Sequence, residues 1–313
     1  MKYIVPDYYN EFSCIADKCR HSCCKGWEID IDEESYEWYK TIDGKIGEKL
    51  KNCIAVEDGI PHYILEEDES CPFLRQDGLC EMICELGEDS LCQICSDHPR
   101  FRNYFSDREE MGLGLCCEAA GELILKRKEP VRLVIMEEDD DNEQQEDEEY
   151  TLLSYRDMLF QIMQDRSCTT DERLDELWEL CGDVSEINIS DWAEKLLQLE
   201  RLDEKWTECL IELKDAEEPD YSNFLNEEWS CAFEQLGVYF IYRHVPSALD
   251  DGDVISKVAF AVLSVRILRT LCALYFKKNG EITIDILVEF ARMYSGEIEY
   301  SEENLEQIFD WLS

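Results

Sequence analysis

Twelve of the 17 cysteines precede residue 118, and most stand in close groups. They read Cys14-x4-Cys19-x3-Cys23-Cys24, then Cys71-x8-Cys80-x3-Cys84-x7-Cys92-x2-Cys95, then Cys116-Cys117. Thiols a few residues apart on turns and helix ends aim at a common point. Zinc takes four such ligands in a tetrahedron, and an iron–sulfur cluster also takes four thiolates. Buried cysteines that merely pack need no such grouping among Gly, Asp, Pro and Ser turn residues. Oxidised pairing is the weaker alternative. The opening MKYIVPDYYNEFSC has no apolar leader core, and no run approaches ~18 consecutive apolar residues. The stretch 254–268 is interrupted by Lys257 and Arg266. A soluble, cytoplasmic protein is expected, and there thiols stay reduced. An odd cysteine count also leaves one unpaired.

The spacing narrows the metal only partly. Only Cys92-x2-Cys95 has the zinc-knuckle form. Two compact four-cysteine sets stand out: Cys14, Cys19, Cys23 and Cys24, and Cys80, Cys84, Cys92 and Cys95. Adjacent cysteines bind a single tetrahedral ion poorly but can reach separate irons, so a cluster (4Fe-4S) leads and zinc is the alternative. The C-x3-C-x2-C pattern of radical S-adenosylmethionine enzymes is absent, since Gly26 and Gly87 stand where its third cysteine falls.

Charge restricts the partners. Acidic residues number 74 against 30 basic ones, for a net charge of −44. Nucleic acid and anionic membrane surfaces are thereby excluded, because binding them needs a basic face. Hydrophobic residues at 45% still suffice for a core, so wholesale disorder is not expected. Residues 137–149 hold ten acids and no apolar residue and read as a solvated linker. The expected organisation is a cysteine-rich metal-binding domain over 1–136 with little regular strand, that linker, and an α-helical bundle over 150–313. The fold class is mainly α.

The helices follow from apolar residues three and four apart. Leu152, Tyr155, Leu159 and Ile162 mark one at 150–164. Trp192, Leu196, Leu199, Leu202, Trp206 and Leu210 mark a stripe through 191–213. Longer apolar helices are predicted at 226–245 and 251–276, and shorter ones at 283–294 and 301–312, the last capped by Ser301. His244 reads as a packed, helix-terminal residue. Two elements of the first half invite chemistry. Glu110-Met-Gly112-Leu-Gly114-Leu resembles a fragment of the Gly-rich loop of Rossmann methyltransferases, and weighs more as a turn before a helix. Asp97-His98-Pro99-Arg100-Phe101-Arg102 puts two guanidinium groups and an imidazole beside the cysteines, suited to holding an anion or to salt bridging within an acidic chain. His21 is a further possible ligand, better read as an exposed turn residue.

Several motifs in order carry a family resemblance: C-x4-C-x3-CC-x-GW, CPFL-x2-DGLC, LC-x2-C-x-DHPRFRNYFS and GLGLCCEAA, then VYFIYRH, DGD, KVAFAVLS and YSGEIEYSEENLE. Together they resemble the flagellin lysine N-methylase family, the FliB-like proteins. The first half is also similar to the wider class of cysteine-rich zinc- or iron-chelating domains. The resemblance implies S-adenosylmethionine-dependent methylation of lysines on flagellin by a protein carrying an iron–sulfur cluster. It places metal ligands at Cys14, Cys19, Cys23, Cys24, Cys71, Cys80, Cys95 and Cys116, with Cys84, Cys92 and Cys117 shared by only part of the family. It assigns no catalytic base and no cofactor-binding residue. The competing reading is a non-catalytic zinc- or iron-binding module that docks a basic protein. A redox protein using Cys92-x2-Cys95 ranks third, because no thioredoxin-like βαβ pattern surrounds the pair.

Overall fold

The computed structural model describes residues 1–139, 146–182, 187–216, 219–224 and 226–313. It is mainly helical, as expected. Its strands are β1 (Lys2–Pro6), β2 (Ile54–Glu57), β3 (Ile60–Tyr63), β4 (Arg100–Tyr104), β5 (Arg108–Leu113) and β6 (Leu133–Glu138). Contacts divide the chain into Ser13–Arg100 and a second unit made of Met1–Phe12 with Phe101–Ser313. The division thus falls elsewhere than at the acidic run. The reason is β1: it pairs parallel with β5 (Ile4 opposite Glu110) and antiparallel with β6 (Val5 opposite Val134), in the sheet order β4-β5-β1-β6. The first and last strands of the supposed N-terminal domain therefore join the helical unit. This sheet is also more regular strand than the sequence suggested, because its strands are short and the alternation in VRLVIMEE is weak.

The unit 13–100 holds α1 (Glu33–Tyr39), α2 (Gly44–Cys53), α3 (Glu81–Leu86), α4 (Gln93–Asp97) and the β2–β3 hairpin. Its own small core is Ile29, Ile31, Tyr39, Leu50, Tyr63, Cys71, Phe73, Met82 and Cys92. Asp32 ties it together. One carboxylate oxygen accepts from the Ser35 amide (2.9 Å), capping α1, and the other from the Gln93 amide (2.7 Å), at the start of α4.

The second unit continues with α5 (Glu118–Leu125), α6 (Asp147–Met163), α7 (Thr170–Glu179), α8 (Ile189–Leu196), α9 (Glu204–Lys214), α10 (Glu227–His244), α11 (Ala248–Asp251), α12 (Val254–Asn279), α13 (Ile284–Tyr294) and α14 (Glu302–Leu312). Ser301 caps α14 through the Asn304 amide, as expected. The ends of the acidic run are not linker. Glu137 and Glu138 finish β6, and Glu146 with Glu149 forms the capping box of α6, where carboxylates favour the helix dipole. Glu149 is buried and also accepts from the Ser106 amide (2.7 Å). Residues 140–145 lie outside the described residues. The stripe through 191–213 is two helices. Arg201 donates to the carbonyls of Leu197 and Leu199, and Asp203 caps α9, so the chain turns and leaves Leu202 72% exposed.

The central helix α12 is long and apolar enough to cross a membrane, with mean hydropathy 1.7 over its most apolar stretch. Most of that stretch is buried in the helical core instead. Lys257, 2% exposed within it, reaches Asp251 (2.7 Å) and lies over the Phe309 ring.

Candidate functional site

In the unit 13–100, Cys71 and Cys92 belong to the small core, and Cys24, Cys53, Cys80 and Cys95 pack against it. The chain crosses itself where the Cys71 amide donates to the Cys24 carbonyl (2.7 Å). Phe73 then accepts from the Glu81 amide, setting Cys80 at the start of α3. Cys92 stands at the start of α4 and Cys95 inside it. Trp27 is fixed by its indole N–H donating to the Cys23 carbonyl (2.6 Å).

These thiols affect one another. Hydrogen bonding with Cys23 holds the Cys24 thiol down at about 7 against the opposing effect of burial. The Cys92 thiol is lowered by its hydrogen bond with Cys95, and Cys95 is raised by the same bond and by burial. Burial pushes Cys71 up to about 12, reinforced by Cys24, Cys80 and Cys92. Cys80 is raised by burial too, with Cys24 and Cys84 adding to it. Cys24, Cys71, Cys80, Cys92 and Cys95 thus form one electrostatic group, with Cys23 and Cys84 at its margin. All 17 cysteines are free thiols.

Among the described residues, no three Cys, His, Asp or Glu side chains are arranged to hold one ion. In kind, though not in arrangement, cysteine sulfur is the soft donor that zinc and iron–sulfur clusters take. Cys14 is exposed and accepts from the Ala16 amide, and the Cys19 thiol donates to the His21 carbonyl (3.0 Å). Cys116 belongs to the other unit. Cys53, which the spacing did not single out, packs against the same small core. Burial, with Arg100 adding, lowers His98 to about 4, and its ring lies 6.0 Å from that of Trp27. Arg102 pairs with Glu109 at 2.8 Å, the salt-bridging role.

Gly112 serves packing. Residues through Leu113 are strand, and a β-carbon on Gly112 would fall 2.2 Å from the Phe101 ring. Glu110 is fully buried and makes a two-pronged pair with Arg156 (2.5 and 3.0 Å). The resemblance to a cofactor loop therefore has a structural explanation.

A second constellation was not read as a site from the sequence. Tyr239, Arg243 and His244 come from the last turns of α10, within VYFIYRH. Glu299 and Tyr300 come from YSGEIEY, where the chain widens into a π-helical turn at Ser295–Glu299. Leu115 and Cys116 come from GLGLCC. Glu299 accepts from His244 Nε2 (2.6 Å) and from the Tyr239 hydroxyl (3.0 Å) and pairs with Arg243 Nε (3.4 Å). Tyr239 in turn accepts from Arg243 (2.8 Å) and from the Leu115 amide (3.2 Å). The Arg243 guanidinium lies between the rings of Phe101 and Tyr300, 5.0 and 4.8 Å from their centres. Burial alone would raise Glu299. Arg243 and His244 outweigh it and hold the carboxyl at about 2. Burial lowers His244, with Glu299 opposing. Cys116 is pushed up to about 12 by burial, although Tyr300 and Arg243 favour its thiolate. The neutral-pH state is thus an ionised Glu299, a charged Arg243 and an uncharged His244. Tyr300 is 44% exposed, and Arg243 and Cys116 are half-buried, while Tyr239, His244 and Glu299 are buried.

Residues 176–313 match the FliB lysine N-methylase C-terminal domain family. The chain is similar to the lysine-N-methylases of Salmonella typhimurium and Salmonella choleraesuis. Each is 30% identical over 138 residues, or 41% of this chain and 33% of the relative. It is also similar to the flagellar biosynthetic protein FliU of Salmonella muenchen, 29% identical over 138 residues, or 41% of this chain and 79% of that protein. The chain spans a third of the length of the lysine-N-methylases it matches. No solved structure matches. Over 176–313 the helical part is thus similar to lysine N-methylases. The likeness covers the stretch that carries the motifs VYFIYRH and YSGEIEY.

Proposed function

We propose that the protein is an S-adenosylmethionine-dependent protein-lysine N-methyltransferase that acts on flagellin in the cytoplasm. The observation that carries this reading is the match of 176–313 to a lysine N-methylase domain. The gathering of three family motifs around Glu299 supports it. Methyl transfer needs a neutral lysine amine, which attacks the methyl carbon as the carbon–sulfur bond breaks and one proton leaves. An acidic surface attracts lysine in its protonated form, so the amine must lose its proton in a less polar place.

The cofactor belongs to the same proposal. Cys24, Cys71, Cys80, Cys92 and Cys95 would hold an iron–sulfur cluster or zinc, with Cys23 and Cys84 as neighbouring thiols. Bound there, a cluster supplies a centre whose potential the surrounding protein tunes. The residues themselves bring soft ligands and exclude water with Trp27, Tyr39, Tyr63 and Phe73.

The test uses full-length protein purified without oxygen. Its iron, sulfide and zinc are measured first. It is then incubated with flagellin and methyl-labelled S-adenosylmethionine, and methyl-lysine is sought by mass spectrometry. Labelled lysine that depends on both partners supports the reading. Bound metal without binding of S-adenosylmethionine favours the non-catalytic module that docks a basic protein.

A further inference from the structure

The strand β6 ends the sheet order β4-β5-β1-β6, so among the described residues only its β1 side is paired. An end strand offers a row of backbone N–H and C=O groups on which another strand can add. Its side chains suit that use. Val134, Ile135 and Met136 are 40%, 55% and 42% exposed, three apolar residues in succession. Stable proteins usually blunt such an edge with proline, charge or a bulge. Here those devices sit toward its C-terminal end, where the register with β1 shifts past Ile135 and Glu137 and Glu138 follow.

Charge selects the occupant. Glu137, Glu138 and Asp139 are exposed at the strand's C-terminal end. Arg132, exposed at the other end, is outnumbered. A second copy would bring another −44 of net charge to the same edge. We propose that β6 binds an extended segment of a protein partner, apolar and rich in lysine or arginine, as a fifth strand of the sheet. The backbone ladder supplies affinity, the apolar side chains of 134–136 supply contact, and the acids after them select basic residues. This inference is independent of the methyltransferase reading.

The full chain is titrated into a fluorescent decapeptide of alternating lysine and valine, with anisotropy as the readout. Two further peptides replace alternate valines with proline, or the lysines with glutamate. Strand addition predicts saturable binding that weakens with salt, and a loss of at least about ten-fold for either replacement. Val134→Ser combined with Met136→Ser, at exposed positions that leave the core intact, is expected to weaken binding by a similar factor. Equal binding of the proline peptide would reduce the edge to nonspecific charge attraction and overturn the proposal. So would an unchanged double variant, or no binding of the alternating peptide. A dimer in sedimentation velocity that the same double variant dissolves would assign the edge to a second copy instead.

Discussion

His244 Nε2 and Glu299 Oε1 lie 2.6 Å apart, both buried, joining the end of α10 to the π-helical turn after α13. Arg243 and Tyr239 contact the same carboxylate, so Glu299 is the common acceptor for one helix end. Replacing it by Gln keeps the shape but leaves Arg243 without its counter-charge. Glu299→Gln is expected to cost about 3 kcal/mol, as for other broken buried pairs. Urea unfolding checks this: an unchanged midpoint would mean that Glu299 is not the anchor.

The same pair sets an acid limit. Glu299 ordinarily titrates near 4.5 and is held at about 2 when folded, so its contribution is present above pH 4.5 and lost as pH falls toward 2. His244 ordinarily titrates near 6.5 and is lowered by burial, so it too favours the folded state above pH 6.5 and loses that contribution as pH falls. His98, lowered to about 4, adds to the same limb. Stability should therefore begin to fall below pH 6.5 and fall more steeply below 4.5. His244→Asn should flatten the first part of the decline in pH-dependent unfolding curves, with His98 accounting for what remains.

The pair Arg156–Glu110 is a different experiment, because both side chains are buried and each prong is satisfied by the other. Arg156→Met strands a carboxylate and should cost about 3–5 kcal/mol. Arg156→Met with Glu110→Leu removes both charges and should be less harmful than the single change. A double-mutant cycle in chemical unfolding measures the coupling, and strict additivity would refute it.

Gly112 faces the Phe101 ring with no room for a methyl group. Gly112→Ala should destabilise by about 1–3 kcal/mol through overpacking. Phe101→Leu in the same chain should restore part of the loss, measured as the thermal midpoint.

Metal content provides the last prediction. Cys71→Ser and Cys95→Ser, within the interacting thiol group, should lower the metal bound by anaerobically purified protein. Cys272→Ser, alone in the buried centre of α12, should leave the metal content unchanged. Equal losses in all three would point to unfolding, and no loss in any would remove the group as a ligand set.

The helical half was legible because Leu159, Trp206 and Leu210 recur at helical spacing and are buried where that spacing puts them. Periodicity does not register the break at 197–203. It comes from Arg201 and Asp203 binding backbone groups and from Glu297, distant in sequence, accepting from the Leu202 and Asp203 amides. The sheet was missed for a related reason. Residues 2–6 find partners more than a hundred positions away, which local patterns do not encode. Cysteine spacing singled out Cys80, Cys92 and Cys95, whereas the Cys24–Cys71 crossing depends on how the loop folds back. The motifs VYFIYRH and YSGEIEY were noticed as words. That they share a carboxylate needed the structure.

The π-helical turn at Ser295–Glu299 has one more consequence. It sends Glu297 to the link between α8 and α9, and Glu299 to the end of α10. Its extra residue acts as a shim that keeps two carboxylates in phase with two separate clients. Deleting one residue there would turn everything beyond it by about 100°, uncoupling both clients at once. Substitutions in this turn test a side chain, but a change in its length tests the timing of the whole C-terminal helix.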